Sequence, residues 1–190
     1  VDRRAAVSED LYATFIGSDF IVEGQNACKE MARLLNEKGS IVELQGTVGA
    51  SAATDRMEGF KQELANHPGM KIIASQTGDF TRAKGKEVME AFLKAYPGQI
   101  NGVYGHNDDM VLGAIEAIKD AGLKPGVDIK TVSVDGVKGL FEAMVAGEAN
   151  VTVECNPLLG PQLFQICKDL KEGKEVPKWV KSEEIKPRKY

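Results

Sequence analysis

The chain is predicted to be an α/β protein: a doubly wound parallel sheet with helices on both faces. Three observations carry that prediction. Short apolar runs alternate with amphipathic stretches along most of the 190 residues, joined by brief polar loops. The runs, such as SIVELQ at 40–45 and IKTVSV at 129–134, lack strict in-and-out alternation, as strands buried on both faces do. The carboxyl ends of successive runs carry small and polar residues, the composition of a functional rim rather than of a core.

Residues 1–10 are polar and charged, with Asp2-Arg3-Arg4 near their head. The stretch 11–17 (LYATFIG) is strand-like, and 19–36 follows as an amphipathic helix. A strand at 40–45 leads through the loop 46–51 into a helix at 52–66. A strand at 71–76 and a helix at 81–96 come next. The apolar run 100–104 reads as a buried strand that turns at Gly105-His106-Asn107 into a helix at 109–121, with Asp108 or Asp109 placed to cap it. A strand at 129–134, a helix at 138–146, a strand at 150–154 and a helix at 157–171 complete the alternation. The tail, 174–190, is charged and contains Pro177, Trp179 and Pro187; its segment 179–185 could add an edge strand. No internal repeat or low-complexity tract interrupts the pattern.

At this length one good-sized domain can bury roughly 70% of its unfolded surface. The net charge of −4 is scattered in sign, which argues against a nucleic-acid partner. No run of 18 apolar residues exists, so no helix is expected to span a membrane. No charged-then-apolar leader segment opens the chain, as in a mature or trimmed secreted protein, and the cysteines leave the compartment undecided. Cys28, Cys155 and Cys167 have no metal-ligand spacing and read as buried small hydrophobes, and neither a metal nor a cofactor is implied. The loop Gly46-x-x-Gly49 lacks both dinucleotide and P-loop fingerprints, and no G-x-S-x-G elbow occurs.

In a parallel sheet the strand ends emerge on one rim, which gathers Phe80, Asn107 and Asp135; Arg56 joins them from the start of the helix after Ser51. Carboxylate, guanidinium and carboxamide are planar groups that can bond two neighbouring hydroxyls at once, and an aromatic ring supplies a flat apolar surface for a sugar ring. Each residue has a plainer alternative: Arg56 as a surface helix residue, Asp135 as a helix cap, Phe80 as a core plug, Asn107 as a turn former. A small enzyme using His106 and Asp135 as acid and base is a rival, although no oriented partner or nucleophile is evident for the histidine.

Many spaced motifs bear a family resemblance. They are Asp2-Arg3, Glu43-Leu44-Gln45-Gly46-Thr47-Val48-Gly49-Ala50-Ser51, Asp55-Arg56, Gly59-Phe60, Ser75-Gln76, Gly78-Asp79-Phe80, Lys84-Gly85, Asn107-Asp108-Asp109-Met110, Gly113-Ala114 and Asp135-Gly136. From residue 1 to about 173 the chain resembles the type I periplasmic sugar-binding proteins of ABC importers, nearest to the ribose and, still more, the galactofuranose binders. The resemblance implies one lobe of a periplasmic-binding-protein-like I fold. It also implies sugar contacts from Asp2, Arg3, Arg56, Phe80, Asn107 and Asp135, with Ser18 and Thr47 at positions that line the cleft in relatives. Cys155 stands where ribose binders carry a Gln, which points away from ribose itself.

The resemblance further implies a hinge segment at 1–10, a carboxyl-terminal sugar-binding lobe at 11–155 and a returning segment at 156–190 that would pack on an N-terminal lobe absent from this chain. The expected role is binding, not catalysis. The expected partners are a monosaccharide and the importer's permease, in the periplasm or outside the cell, lipid-anchored if the source is Gram-positive. The lactose-repressor family shares the fold, so a regulator's effector domain is an alternative; no helix-turn-helix segment is present. The stripe Leu159, Leu163, Phe164, Ile166, Cys167 and Leu170 on the 157–171 helix would then lack its cover and is expected to pair in a homodimer.

Overall fold

The computed structural model describes residues 1–182 and the two-residue strand Arg188–Lys189. The strands are β1 (Phe15–Gly17), β2 (Gly39–Gln45), β3 (Met70–Thr77), β4 (Gly102–Gly105), β5 (Lys130–Asp135), β6 (Val151–Glu154), β7 (Trp179–Lys181) and β8 (Arg188–Lys189). The helices are α1 (Phe20–Leu35), α2 (Ser51–Leu64), α3 (Arg82–Ala95), α4 (Asp108–Asp120), α5 (Lys138–Val145) and α6 (Gly160–Lys171). The main sheet runs β3-β2-β4-β5-β6-β8, parallel throughout except for the antiparallel β6–β8 edge.

Two apolar layers cover this sheet. On one face Ala27, Cys28 and Met31 of α1 and Phe60 of α2 pack with Ile41, Tyr104, Val132 and Val153. On the other, Val88, Met89 and Phe92 of α3 and Met110, Ala114 and Ile118 of α4 pack with Val42, Leu44 and Val103. Consecutive residues such as Ile41 and Val42 thus face opposite cores, which is why the strands read as unbroken apolar runs. Helices α1 and α2 touch through backbone: a Cβ added at Gly59 would stand 2.0 Å from the Ile21 carbonyl oxygen, and one at Gly24 2.3 Å from that of Arg56. That close approach brings Arg56 beneath the end of the sheet.

The expected strand at 11–17 shrinks to its last three residues. Glu9–Leu11 is a 3-10 turn with Leu11 72% exposed, and β1 is no longer than β7, its partner in a separate two-stranded parallel sheet. The edge strand expected from 179 is thus present over its first three residues but pairs with β1 rather than with the main sheet; 183–185 lie outside the described residues. The α4 cap is Asn107, whose Oδ1 accepts from Met110 N at 3.1 Å, in place of Asp108 or Asp109. Of the cysteines only Cys28 is buried; Cys167 is exposed on α6, which has no buried residue. Phe164 on that helix is 77% exposed.

Helix α2, which leads from β2 to β3, and helix α4, which leads from β4 to β5, lie on opposite faces, and β2 and β4 are neighbours in the sheet. The chain therefore diverges after β2 and after β4, and the crevice between those two carboxyl ends is the topological switch point where open α/β sheets bind ligands.

Candidate functional site

A cavity of about 300 Å³ opens at that switch point, lined by Asp2, Arg3, Phe20, Ala52, Arg56, Phe80, Asn107, Asp135 and Cys155. Six of the eight residues singled out in the sequence meet there. Ser18 and Thr47 are not in the lining. Ser18 sits behind it, its hydroxyl 3.5 Å from Cys155 Sγ and 2.9 Å from Ser182 Oγ, and Thr47 is exposed on the β2–α2 loop.

Arg56 is the buried centre of the site at 3% exposure, which removes the surface-helix alternative. Its Nε donates to Glu23 Oε2 at 2.7 Å and its Nη1 to the His106 carbonyl at 2.5 Å. Its Nη2 lies 3.5 Å from Asp135 Oδ1, and its plane rests 5.2 Å from the centroid of Phe20. Burial alone would lower its pKa; the Glu23 and Asp135 carboxylates outweigh that and hold it above the usual value. The guanidinium is therefore charged, fixed on two sides and aimed at the cavity on the third.

Asp135 ends β5 with a φ of 131°, a conformation that costs a non-glycine residue about 1–3 kcal/mol and persists only where the surroundings enforce it. The enforcement comes from Asp108. Fully buried, it accepts from Ser133 Oγ at 2.5 Å, Thr152 Oγ1 at 2.8 Å, Gly136 N at 2.8 Å and Val137 N at 2.7 Å. Asp135 does not cap α5, whose N-cap is Val137 without a side-chain bond. Burial pushes the Asp135 carboxyl up to about 7 against the opposing pull of Arg56.

Phe80 is half-buried and lines the cavity. The turn after β3 takes Asp79 and Phe80 through φ of 53° and 57°, and folds the ring onto Gly46 so closely that a Cβ there would stand 2.0 Å from Phe80 Cζ. Asn107 ties this turn to α4, its Nδ2 donating to the Phe80 carbonyl at 3.2 Å while its Oδ1 caps the helix. The turn-forming alternative for Asn107 is thus met by the structure, and its amide faces the cavity as well. Asp2 and Arg3 reach the cavity from the N-terminal segment, paired at 3.6 Å, with the Arg3 guanidinium 5.6 Å from the Phe80 ring centroid.

Phe20, Ala52 and Cys155 complete the lining without having been chosen as site residues. Phe20 follows the first strand end directly, so the rim argument already contained its signal; Ala52 carries none. The Cys155 thiol is pushed up to about 12 by burial and then by Glu23, which keeps it neutral. His106 is absent from the lining: it is 0% exposed, and its ring nitrogens face Gly46 N and Glu43 Oε1. It is not placed to serve as a base in this cavity. Among the described residues no cluster of three or more potential metal ligands occurs.

Residues 1–175 match the family described as periplasmic binding protein domain. The galactofuranose-binding protein YtfQ of Escherichia coli is 51% identical over 181 residues, which span 91% of this chain and 56% of that protein. The ribose import binding protein RbsB of Salmonella typhimurium is 33% identical over 177 residues, 93% of this chain and 57% of that one. Among solved structures, the periplasmic binding protein component of the arabinose ABC transporter from Shewanella sp. ANA-3, bound to α- and β-L-arabinofuranose, superposes with a TM-score of 0.94 at 48% identity, covering 99% of this chain and 63% of that one. The chain thus spans about half the length of the curated relatives it matches. On a match that takes in nearly all of its length, this chain belongs to the periplasmic binding protein family.

Proposed function

We propose that the chain is the sugar-facing part of the substrate-binding component of an ABC importer for a monosaccharide of the galactofuranose or arabinofuranose kind, and that it binds without turning its ligand over. The observation that carries this is Arg56. It is a charged group buried at the switch point, anchored from behind by Glu23 and the His106 carbonyl, with Asp135 3.5 Å from its remaining edge. A guanidinium and a carboxylate side by side offer donors and acceptors to vicinal hydroxyls. Phe80 supplies the apolar face, Asn107 an amide, and Asp2 with Arg3 the approach from the N-terminal segment. Ser18 acts from behind Cys155, and Thr47 at the open lip. The names of the relatives support this reading, as does a cavity at the lower end of the usual range for small-ligand pockets.

Under this reading residues 1–10 form a hinge segment, 11–155 one lobe of a two-lobed protein and 156–190 a returning segment; closure of the two lobes would complete the site and present the protein to its permease. The periplasm or the outer cell surface is the compartment that fits. The test is Asp135→Ala, read by calorimetry against D-galactose, L-arabinose and D-ribose in the protein carrying both lobes. Binding should weaken by about 2 kcal/mol or more, the cost of a lost charge-assisted bond, while far-UV circular dichroism stays unchanged. Unaltered affinity, or an unfolded lobe, would reject the assignment of Asp135 to the sugar.

A further inference from the structure

Glu43 and His106 lie outside the cavity lining, yet the bonds of His106 end on one wall, Arg56, and on Gly46, which backs another, Phe80. Glu43 stands on β2 between Val42 and Leu44, and His106 follows β4; they are 2% and 0% exposed. His106 Nδ1 faces the Gly46 N–H at 3.3 Å and must accept from it, so the ring proton resides on Nε2, which donates to Glu43 Oε1 at 3.1 Å. Burial holds the imidazole pKa low, so the ring is neutral. Burial works against the Glu43 carboxylate, but donors from His106, Ser75 and Gln45 prevail and keep it ionised. The His106 carbonyl meanwhile accepts from Arg56 Nη1. One residue therefore grips both the Gly46 turn, on which the Phe80 ring rests, and the guanidinium.

Stability alone gives little reason for this pair, since a buried charge and its partner can often be exchanged for apolar residues at no loss. Its contacts serve the cavity instead. We infer that Glu43 and His106 are positioning residues of the sugar site. Glu43 fixes the tautomer and angle of the imidazole, and His106 fixes the spacing between the Phe80 platform and the Arg56 guanidinium. The purpose assigned to the pair rests on the sugar-binding reading above; its geometry does not.

The experiment compares His106→Asn, whose amide oxygen can stand near the place of Nδ1, with His106→Gln, whose amide reaches toward Glu43 and leaves Gly46 N–H unpaired. Amide hydrogen exchange is followed at Gly46 without sugar, with Val132 and Leu140 as references, and binding of L-arabinose and D-galactose by NMR titration of the 190-residue chain. In His106→Gln, Gly46 exchange should quicken and sugar binding weaken by about tenfold or more, with the reference amides unmoved. His106→Asn should return both to within about threefold of the native chain. Equal losses in the two variants, or no change in His106→Gln, would overturn the inference. If the native chain shows no sugar-induced shifts while Gly46 responds as expected, the sugar reading fails and the positioning of Gly46 stands. Should both histidine variants fail to fold, Glu43→Gln carries the test through imidazole ¹⁵N shifts. A mixture of tautomers with faster Gly46 exchange supports the inference, and a single Nε2–H tautomer with unchanged exchange overturns it.

Discussion

The carboxylate of Asp108 accepts the backbone N–H of Gly136 at 2.8 Å, and through that bond a residue at the head of one helix shapes the turn that presents Asp135. The backbone there is unusual at two successive positions, with φ of 131° at Asp135 and 88° at Gly136. A second bond to Val137 N and two side-chain hydroxyls complete the anchorage. Burial raises the Asp108 pKa, and these donors pull against it.

Asp108→Asn should therefore cost more than its near-identical shape suggests. The amide can keep its oxygen on the Gly136 and Val137 N–H groups only by turning its NH2 onto the Ser133 and Thr152 hydroxyls, which must then accept instead of donating, and the charge that strengthens all four bonds is lost. A loss of about 1–3 kcal/mol is expected from urea unfolding, in line with charge-assisted bonds replaced by neutral ones. A loss below about 1 kcal/mol would mean that the turn holds itself.

Asp135 gives stability a pH dependence of defined sign. Burial raises its carboxyl from an ordinary 3.8 to about 7, so between about pH 4 and pH 7 the folded chain holds a proton that the unfolded chain has released. The contribution of this group to stability therefore falls as pH rises through that window and levels off above it. Asp135→Asn should flatten that part of the profile and make the chain more stable than the native one at pH 8. Thermal unfolding across pH 4–8 checks this; an unchanged slope in the variant would show that Asp135 titrates normally.

Much of the site could be read in the sequence because parallel topology alone puts strand ends on one rim. Phe80 and Asn107 follow β3 and β4, Asp135 closes β5, and Arg56 lies within two turns of the start of α2, so their convergence needed no knowledge of strand order. The order itself is a property of pairing that periodicity does not encode. Asp108 shows where local reasoning stops. Its place at a helix start suggested a cap, but donors from β5, β6 and the turn after β5 captured the carboxylate, and Asn107 took the cap. The 11–17 stretch failed for a similar reason: apolar composition favoured a strand, while the available partner, β7, is three residues long. Cys155 follows β6 directly and so shares the rim signal, whereas Ala52 entered the lining through tertiary placement, which no local pattern announces.

Gly46 is a position where a single methyl group should separate binding from folding. Its Cβ would fall 2.0–2.4 Å from three ring atoms of Phe80, a half-buried side chain with space to swing away. Gly46→Ala should tilt the ring and weaken sugar binding by about tenfold, while stability changes by about 1 kcal/mol or less because the ring can relax outward. Calorimetry and urea unfolding on one preparation check both. Loss of folding without prior loss of binding would make Phe80 a core plug.

Affinity in the 190-residue chain should be weak. Its cavity is walled by one sheet end, and Asp2 and Arg3 on the approach side are largely exposed. Sugar hydroxyls facing away from Arg56 would remain in water. Monosaccharide binding is expected in the millimolar range, about −4 kcal/mol, within reach of an NMR titration. Micromolar binding of galactose, ribose or arabinose would show that this half of the cleft suffices.

Helix α6 carries large apolar side chains that its own lobe leaves uncovered. It has no buried residue, is linked to β7 by Gln162 donating to the Lys181 carbonyl at 3.1 Å, and leaves Phe164 77% and Leu170 41% exposed. Leu158, just before it, is also 77% exposed. Each large apolar side chain left in water forgoes about 1.5–3 kcal/mol of burial, and three of them within residues 158–170 favour an interface over a bare surface. Under the proposed two-lobed arrangement a second lobe would supply that cover. In the 190-residue chain a second copy can do so, and we expect concentration-dependent dimers in sedimentation or light scattering. Leu163→Lys combined with Phe164→Lys should leave monomers with the sheet intact, because neither residue belongs to either core layer. If the native chain stays monomeric at high concentration while α6 amides are protected from exchange, the helix is stabilised by its own lobe and the pairing is refuted.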